Sequence, residues 1–263
     1  MVKHFARLIK FRIKQIFKSI LIWINPRLFP SHSYKLIENE AILTASEKLK
    51  DAWKAHEISV LQNTLVEKEL YDFYHGKKNA TFEAYCNAVK TFGRFGTLLE
   101  IGCSSGYYSE ILKYKNLRYD YYGCDYSTSF IKLATQKYPE LIFSVQDSTN
   151  LAFQDNFFDV VVSGCCILHI YDYERAIEET IRVAKAGVVF HKTPILNQQK
   201  TKFYTKKAYG QETVEIHFNE KELIDLFKSF GLNIINKIEL NSIYDTQMNI
   251  IGGHVTYVCR KNV

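Results

Sequence analysis

Residues 98–109 read LLEIGCSSGYYS: two leucines, an acid, an isoleucine, and then three small residues held between Gly102 and Gly106. Thr97 to Ile101 has the apolar, partly β-branched character of a short buried strand. Tyr107 to Lys115 reads as a helix. The glycine-bounded turn between them lets backbone approach a ligand, and its small side chains leave room for one. A dinucleotide-binding turn would need G-x-G-x-x-G to receive a pyrophosphate, whereas here the glycines stand at positions one and five with no third glycine following. Glu100, just ahead of the turn, would repel a phosphate. The pattern suits a ligand that is cationic or carries amines and hydroxyls.

Working outward, strand-like and helical segments alternate. Tyr119 to Cys124, Leu141 to Val145, Phe158 to Ser163 and Gly187 to His191 read as strands. Ser127 to Lys137, Tyr173 to Ala184 and Asn219 to Phe230 read as helices, the last with Asn219 as N-cap, Glu222 at the third position and Gly231 as its stop. Ile234 to Leu240 and His254 to Arg260 form a closing strand pair. Such alternation predicts a mostly parallel sheet covered by helices on both faces, with ligands beyond the carboxyl ends of the strands.

Four segments in order now carry a resemblance to the class I S-adenosylmethionine-dependent methyltransferases. Glu100-Ile101-Gly102-Cys103-Ser104-Ser105-Gly106 is similar to their acid-x-Gly-x-Gly-x-Gly signature, with Ser104 in place of the middle glycine. Asp125 in YYGCDYS stands where the family's acid holds the ribose hydroxyls. Asp147-Ser148 in SVQDSTNLAF stands where its aspartate meets the adenine amino group. FDVVVSGCCILHI resembles its fourth strand and following loop. The resemblance implies a Rossmann-like α/β fold with a seven-stranded, mostly parallel sheet and an antiparallel hairpin at one edge. It also implies S-adenosylmethionine as cofactor. Glu100, Gly102, Cys103, Ser104, Gly106, Asp125, Tyr126, Asp147, Ser148 and Ser163 are its expected contacts. Tyr126 and Phe153 either flank the adenine or pack in the core, and Asp147 either meets adenine or caps its own turn.

His169 follows the fourth strand, where the family places substrate-facing residues, and imidazole suits the removal of a proton near neutral pH. It is the catalytic candidate; a histidine that only packs against its loop is the competing reading. His191 and His217 are weaker candidates, and Cys165-Cys166 is expected to line the pocket. No carboxylate cluster suggests a metal. The basic stretch Gln198 to Gly210 reads as a loop, either closing over an anionic acceptor or merely solvated.

A chain of 263 residues with 47% apolar content and four prolines can bury a full core, and it is neither disordered nor fibrous. Six cysteines without C-x-x-C or Cys/His zinc spacing predict reduced thiols in a cytoplasmic chain. The net charge of +6 is uneven: residues 1–30 hold seven of the 34 Lys and Arg and none of the 28 acids, leaving 27 basic against 28 acidic residues afterwards. The body therefore lacks the bulk basicity of a nucleic-acid binder. Residues 1–30 read as a basic amphipathic helix. Its longest apolar run, Ile20 to Ile24, is too short to span a bilayer or serve as a secretory core. The helix either lies on an anionic surface at the inner face of the membrane or docks on its own domain.

Residues 31–92 read as a helical cap, with helices over Ala41–Glu57, Leu61–Tyr74 and Thr81–Phe92, and residues 93–263 as the methyltransferase-like domain. The helical segment ahead of the domain, with AWKAHEISVLQNTLVEKEL at residues 52–70, is similar to a subset of bacterial methyltransferases associated with surface-glycan synthesis, which implies O-methylation of a glycan or lipid-linked sugar. Methylation of a small metabolite such as a quinone precursor, and binding of the cofactor without turnover, are the competing functions.

Overall fold

The computed structural model describes residues 34–245 and 250–262. The basic helix expected over residues 1–30 lies outside them. Among the described residues, ten strands form one mixed sheet: β1 (Lys35–Leu36), β2 (Phe95–Ile101), β3 (Arg118–Asp125), β4 (Ile142–Val145), β5 (Phe158–Gly164), β6 (Ala184–Leu196), β7 (Lys202–Ala208), β8 (Gln211–Asn219), β9 (Leu232–Asp245) and β10 (Ile250–Lys261). The helices are α1 (Ile42–Leu49), α2 (His56–Tyr74), α3 (Ala80–Lys90), α4 (Tyr107–Tyr114), α5 (Thr128–Lys137), α6 (Tyr173–Val183) and α7 (Glu220–Ser229).

Five strands run parallel in the order β4-β3-β2-β5-β6, and β10 adds antiparallel to β6 and to β9. These seven strands match the expected sheet with its antiparallel hairpin. The expectation of seven strands in all is corrected to ten, because β1, β7 and β8 add a three-stranded wing. Lys202–Ala208, expected as a loop, pairs antiparallel with β8 through the two-residue turn Tyr209-Gly210. Both turn residues are left-handed (φ 52° and 85°), the backbone that a tight hairpin favours. The wing joins the main sheet where Ile195 and Leu196 of β6 pair in parallel with Phe218 and Asn219.

The central strands read as continuous apolar runs because both faces are covered. Leu98, Val160, Val162 and Val189 face one core with Tyr85, Tyr108 and Ile111, whereas Leu99, Val161, Val188 and Phe190 face the other with Ile177, Phe227 and Tyr257. Phe153, considered beside the cofactor, packs instead on Phe158 with ring centroids 5.0 Å apart. In the cap, the helix expected over Ala41–Glu57 ends at Leu49; a short 3-10 turn, Ala52–Lys54, and an extended Ala55 follow before α2 begins at His56. The reason is tertiary: the Trp53 backbone N–H donates to the Tyr126 hydroxyl at 3.1 Å, which holds the chain out of helical register.

Glu100, next to last in β2, is 1% exposed among Tyr85, Tyr107, Tyr108 and Tyr121. Its carboxylate accepts a short hydrogen bond from the Tyr121 hydroxyl. Burial pushes its pKa up to about 8, against hydrogen bonds that pull the other way. The folded state therefore holds a proton that the unfolded chain releases near pH 4.5. This contribution is full below that value and is lost as pH rises toward 8, with a slope of at most ~1.4 kcal/mol per pH unit. In urea titrations, Glu100→Gln should flatten the fall in stability between pH 5 and 8. An unchanged profile would place the ionisation elsewhere.

Candidate functional site

The turn after β2 is built by backbone constraints. Gly102 and Ser104 are left-handed (φ 73° and 53°), and the Gly102 and Cys103 N–H groups donate to the Cys124 carbonyl at 2.8 and 3.0 Å. Gly106 (φ 74°) precedes α4, and a Cβ there would lie 2.7 Å from the Phe143 ring. That glycine thus serves packing beneath the turn.

Asp125, at the end of β3, joins this turn to the next. Its Oδ2 accepts from the Ser104 N–H at 3.0 Å and its Oδ1 from the Ser127 N–H at 2.9 Å. Burial raises its pKa to about 6, opposed by these N–H bonds, so the group is ionised at neutral pH. Each carboxylate oxygen can accept a further hydrogen bond, the capacity that a pair of ribose hydroxyls requires.

A cavity of about 1220 Å³ lies beyond the carboxyl ends of the parallel strands, lined by Glu100, Gly102, Ser104, Asp125, Tyr126, Asp147, Ser148 and His169 among others. Cys103, Gly106 and Ser163 do not line it. They are buried at the turn or in β5. Asp147 uses Oδ1 to cap its own turn, accepting from the Thr149 N–H at 2.9 Å and hydroxyl at 2.8 Å. Cys165 and Cys166 line the cavity as expected, and all six cysteines are free thiols.

His169 sits in a short 3-10 turn, Ile167–His169, after β5. Its Nδ1 lies 2.8 Å from the Val214 carbonyl, which can only accept, so Nδ1 carries the hydrogen and Nε2 the lone pair. Burial lowers its pKa to about 4, which keeps the ring neutral at physiological pH. Both ring nitrogens of His191 are engaged, with the Tyr108 hydroxyl at 2.9 Å and Thr256 Oγ1 at 3.0 Å. His217 Nε2 bonds Glu215 at 3.0 Å.

Sequence reasoning missed the cap residues that reach the site. Gln62 on α2 accepts from the Ser104 hydroxyl at 2.5 Å, and the Trp53 ring lies 4.6 Å from His169 and 6.2 Å from Tyr209. No local pattern announces these contacts. Among the described residues, no helix is long and apolar enough to cross a membrane, and no three His, Cys, Asp or Glu side chains converge as a metal site.

Residues 99–191 match the family model for a methyltransferase domain. A demethylmenaquinone methyltransferase of Paenarthrobacter aurescens is 31% identical over 90 residues, covering 34% of this chain and 35% of that protein. Phosphoethanolamine N-methyltransferase 2 of Caenorhabditis elegans is 25% identical over 177 residues, 62% of this chain and 40% of that one. The chain therefore spans well under half the length of these relatives. Among solved structures, a Burkholderia thailandensis 1,6-didemethyltoxoflavin-N1-methyltransferase superposes with a TM-score of 0.55 at 12% identity, covering 89% of this chain and 99% of that one. A Methanosarcina mazei S-adenosylmethionine-dependent methyltransferase gives 0.53 at 20% identity, covering 66% and 97%. Residues 99–191 are thus similar to a methyltransferase domain, and the chain has the fold of S-adenosylmethionine-dependent methyltransferases of known structure.

Proposed function

We propose that this protein transfers a methyl group from S-adenosylmethionine to a small-molecule acceptor held in the same cavity. The observation that carries the reading is the convergence of the Gly102–Gly106 turn, Asp125 and Asp147-Ser148 on one cavity beyond β2, β3 and β4. The residues fit the cofactor, since a buried, ionised carboxylate with acceptor capacity to spare stands beside a turn of small residues. When bound, S-adenosylmethionine supplies an electrophilic methyl group on a sulfonium.

The chain's own residues bind and orient. Asp125 would hold the ribose hydroxyls, Asp147 and Ser148 the adenine edge, and Glu100 with the turn the amino-acid end. Tyr126 offers a ring wall, and Trp53 and Tyr209 help exclude water. His169 Nε2 would take the acceptor's proton, while the Val214 carbonyl keeps its tautomer fixed. Alignment of the acceptor with the methyl would supply much of the rate enhancement.

For the acceptor, a small metabolite such as a quinone precursor has support in the names of the curated relatives. The glycan or lipid-linked sugar acceptor rests on the resemblance of the cap alone. Reversible contact of residues 1–30 with an anionic membrane belongs to the same proposal. It predicts that the full chain, but not a chain lacking those residues, sediments with anionic liposomes at low salt; equal behaviour of the two would remove it.

Calorimetry should show S-adenosylmethionine and S-adenosylhomocysteine binding in the micromolar range, about −8 kcal/mol. Asp125→Ala should cost about 1.5–3 kcal/mol of that. No heat from either ligand on folded protein would contradict the reading. Incubation of labelled cofactor with fractionated cell extracts identifies the acceptor, and binding without any labelled product would favour a non-catalytic protein. With an acceptor in hand, His169→Ala should lower turnover about 10²- to 10⁴-fold at unchanged cofactor affinity. The acid limb of the wild-type rate should lie near pH 4, where the ring gains its proton.

A further inference from the structure

One stretch of the cavity wall has no role in the account above. It is formed by the end of β6, by the β7–β8 wing and by β10, and it carries Lys192, Lys206, Glu215, His217 and His254. Glu215, at 2% exposure, accepts from the Tyr34 hydroxyl at 2.9 Å, bonds His217 Nε2 at 3.0 Å, and makes a close ion pair with Lys206. The charge of Lys206 is thereby matched. Burial alone would raise the Glu215 pKa, but the His217 bond and the Lys206 charge hold it well below the usual carboxylate range. Burial lowers the His254 pKa to about 4, so this ring is neutral.

Lys192 is different. Among the described residues no carboxylate forms an ion pair with its ammonium, although it is half-buried on the cavity wall. Its backbone is left-handed (φ 54°), a conformation that costs a non-glycine residue free energy. The cause is a β-bulge. Thr193 pairs with Val255 and Phe190 with Tyr257, so His191 and Lys192 together oppose Thr256 alone. Thr256 Oγ1 fixes the bulge by accepting from the Lys192 N–H at 3.2 Å and bonding His191 Nδ1 at 3.0 Å. Bulges beside active sites re-aim a side chain out of strand alternation. Here the bulge places on the cavity wall a cation with no counter-ion among the described residues; its charge favours ionisation of Cys165 and opposes protonation of His254.

The geometry points to Lys192 as the residue that recognises an oxyanion group, phosphate or carboxylate, on the methyl acceptor. The word acceptor rests on the proposed methyltransferase function; the oxyanion site itself rests on the bulge, the cavity and the missing counter-ion. The paired Lys206–Glu215–His217 cluster forms the wall beside it, and the Lys192 charge is left for the ligand. A charge-assisted bond from a partly desolvated ammonium gives such a group its selectivity over neutral analogues.

Trp53 provides the readout, because its ring lines the same cavity. In a Trp23→Phe background, where Trp53 is the remaining one of two tryptophans, inorganic phosphate and benzoate are titrated separately while fluorescence is recorded. At least one should give a saturable change with a millimolar Kd at low salt, and the tighter of the two names the group. Lys192→Met should weaken it about tenfold or more, Lys192→Arg by no more than about threefold, and Lys207→Met, on the exposed edge of β7, not at all. S-adenosylhomocysteine affinity, measured by calorimetry on the same proteins, should be unchanged and reports that the variants are folded. No saturable response to either anion, or equal responses from wild type and Lys192→Met, would overturn the proposal. Anion binding that depends on Lys192 in a protein that ignores S-adenosylhomocysteine would confirm the oxyanion site and overturn the methyltransferase reading instead.

Discussion

The two backbone hydrogen bonds of Asp125 hold the site together. Its carboxylate ties the turn after β2 to the turn after β3, through Ser104 and Ser127. That bridge adds to the Cys124 carbonyl, which accepts from Gly102 and Cys103, in fixing the left-handed positions at 102 and 104. Burying a carboxylate is expensive unless its lone pairs are met, and N–H donors meet them here. The remaining cost appears as a pKa raised toward 6, which still leaves the group ionised at neutral pH. A carboxylate so placed both shapes the turn and remains able to accept from hydroxyls of a ligand.

The cap depends on this turn in its own way. Gln62 bonds the Ser104 hydroxyl, and Trp53 reaches both Tyr126 and His169. The cap is therefore fastened to the residues that would hold the cofactor and to the candidate base. From the other side, the β7–β8 wing supplies the Val214 carbonyl that sets the His169 tautomer. Cofactor turn, cap and wing meet around one cavity, so a ligand bound there would touch all three.

Much of the fold was legible because the β2–β6 strands and their helices obey simple periodicities. The glycine turn, Asp125 and the N-cap Asn219 carry local chemical signatures, and each stands where its signature implies. The wing was illegible for a physical reason. In β8, Val214, Ile216 and Phe218 alternate with Thr213, Glu215 and His217, yet both faces are buried, one against the core and one with Glu215 and His217 on the cavity wall. In β7 the lysines of KFYTKKA suggest a solvated loop. The alternation in β8 was a signal that could have been read as a strand. The break between Leu49 and His56 and the contacts of Gln62 and Trp53 had none, since they arise from residues distant in sequence.

Amide hydrogen exchange with and without S-adenosylhomocysteine tests the central claim most directly, since it reads the turn, Asp125 and the cap in one experiment. The account predicts that the ligand slows exchange at residues 102–106, 125–127 and 147–149, with further protection around Trp53 and Gln62. Protection confined to other segments, or none at saturating ligand on folded protein, would contradict it.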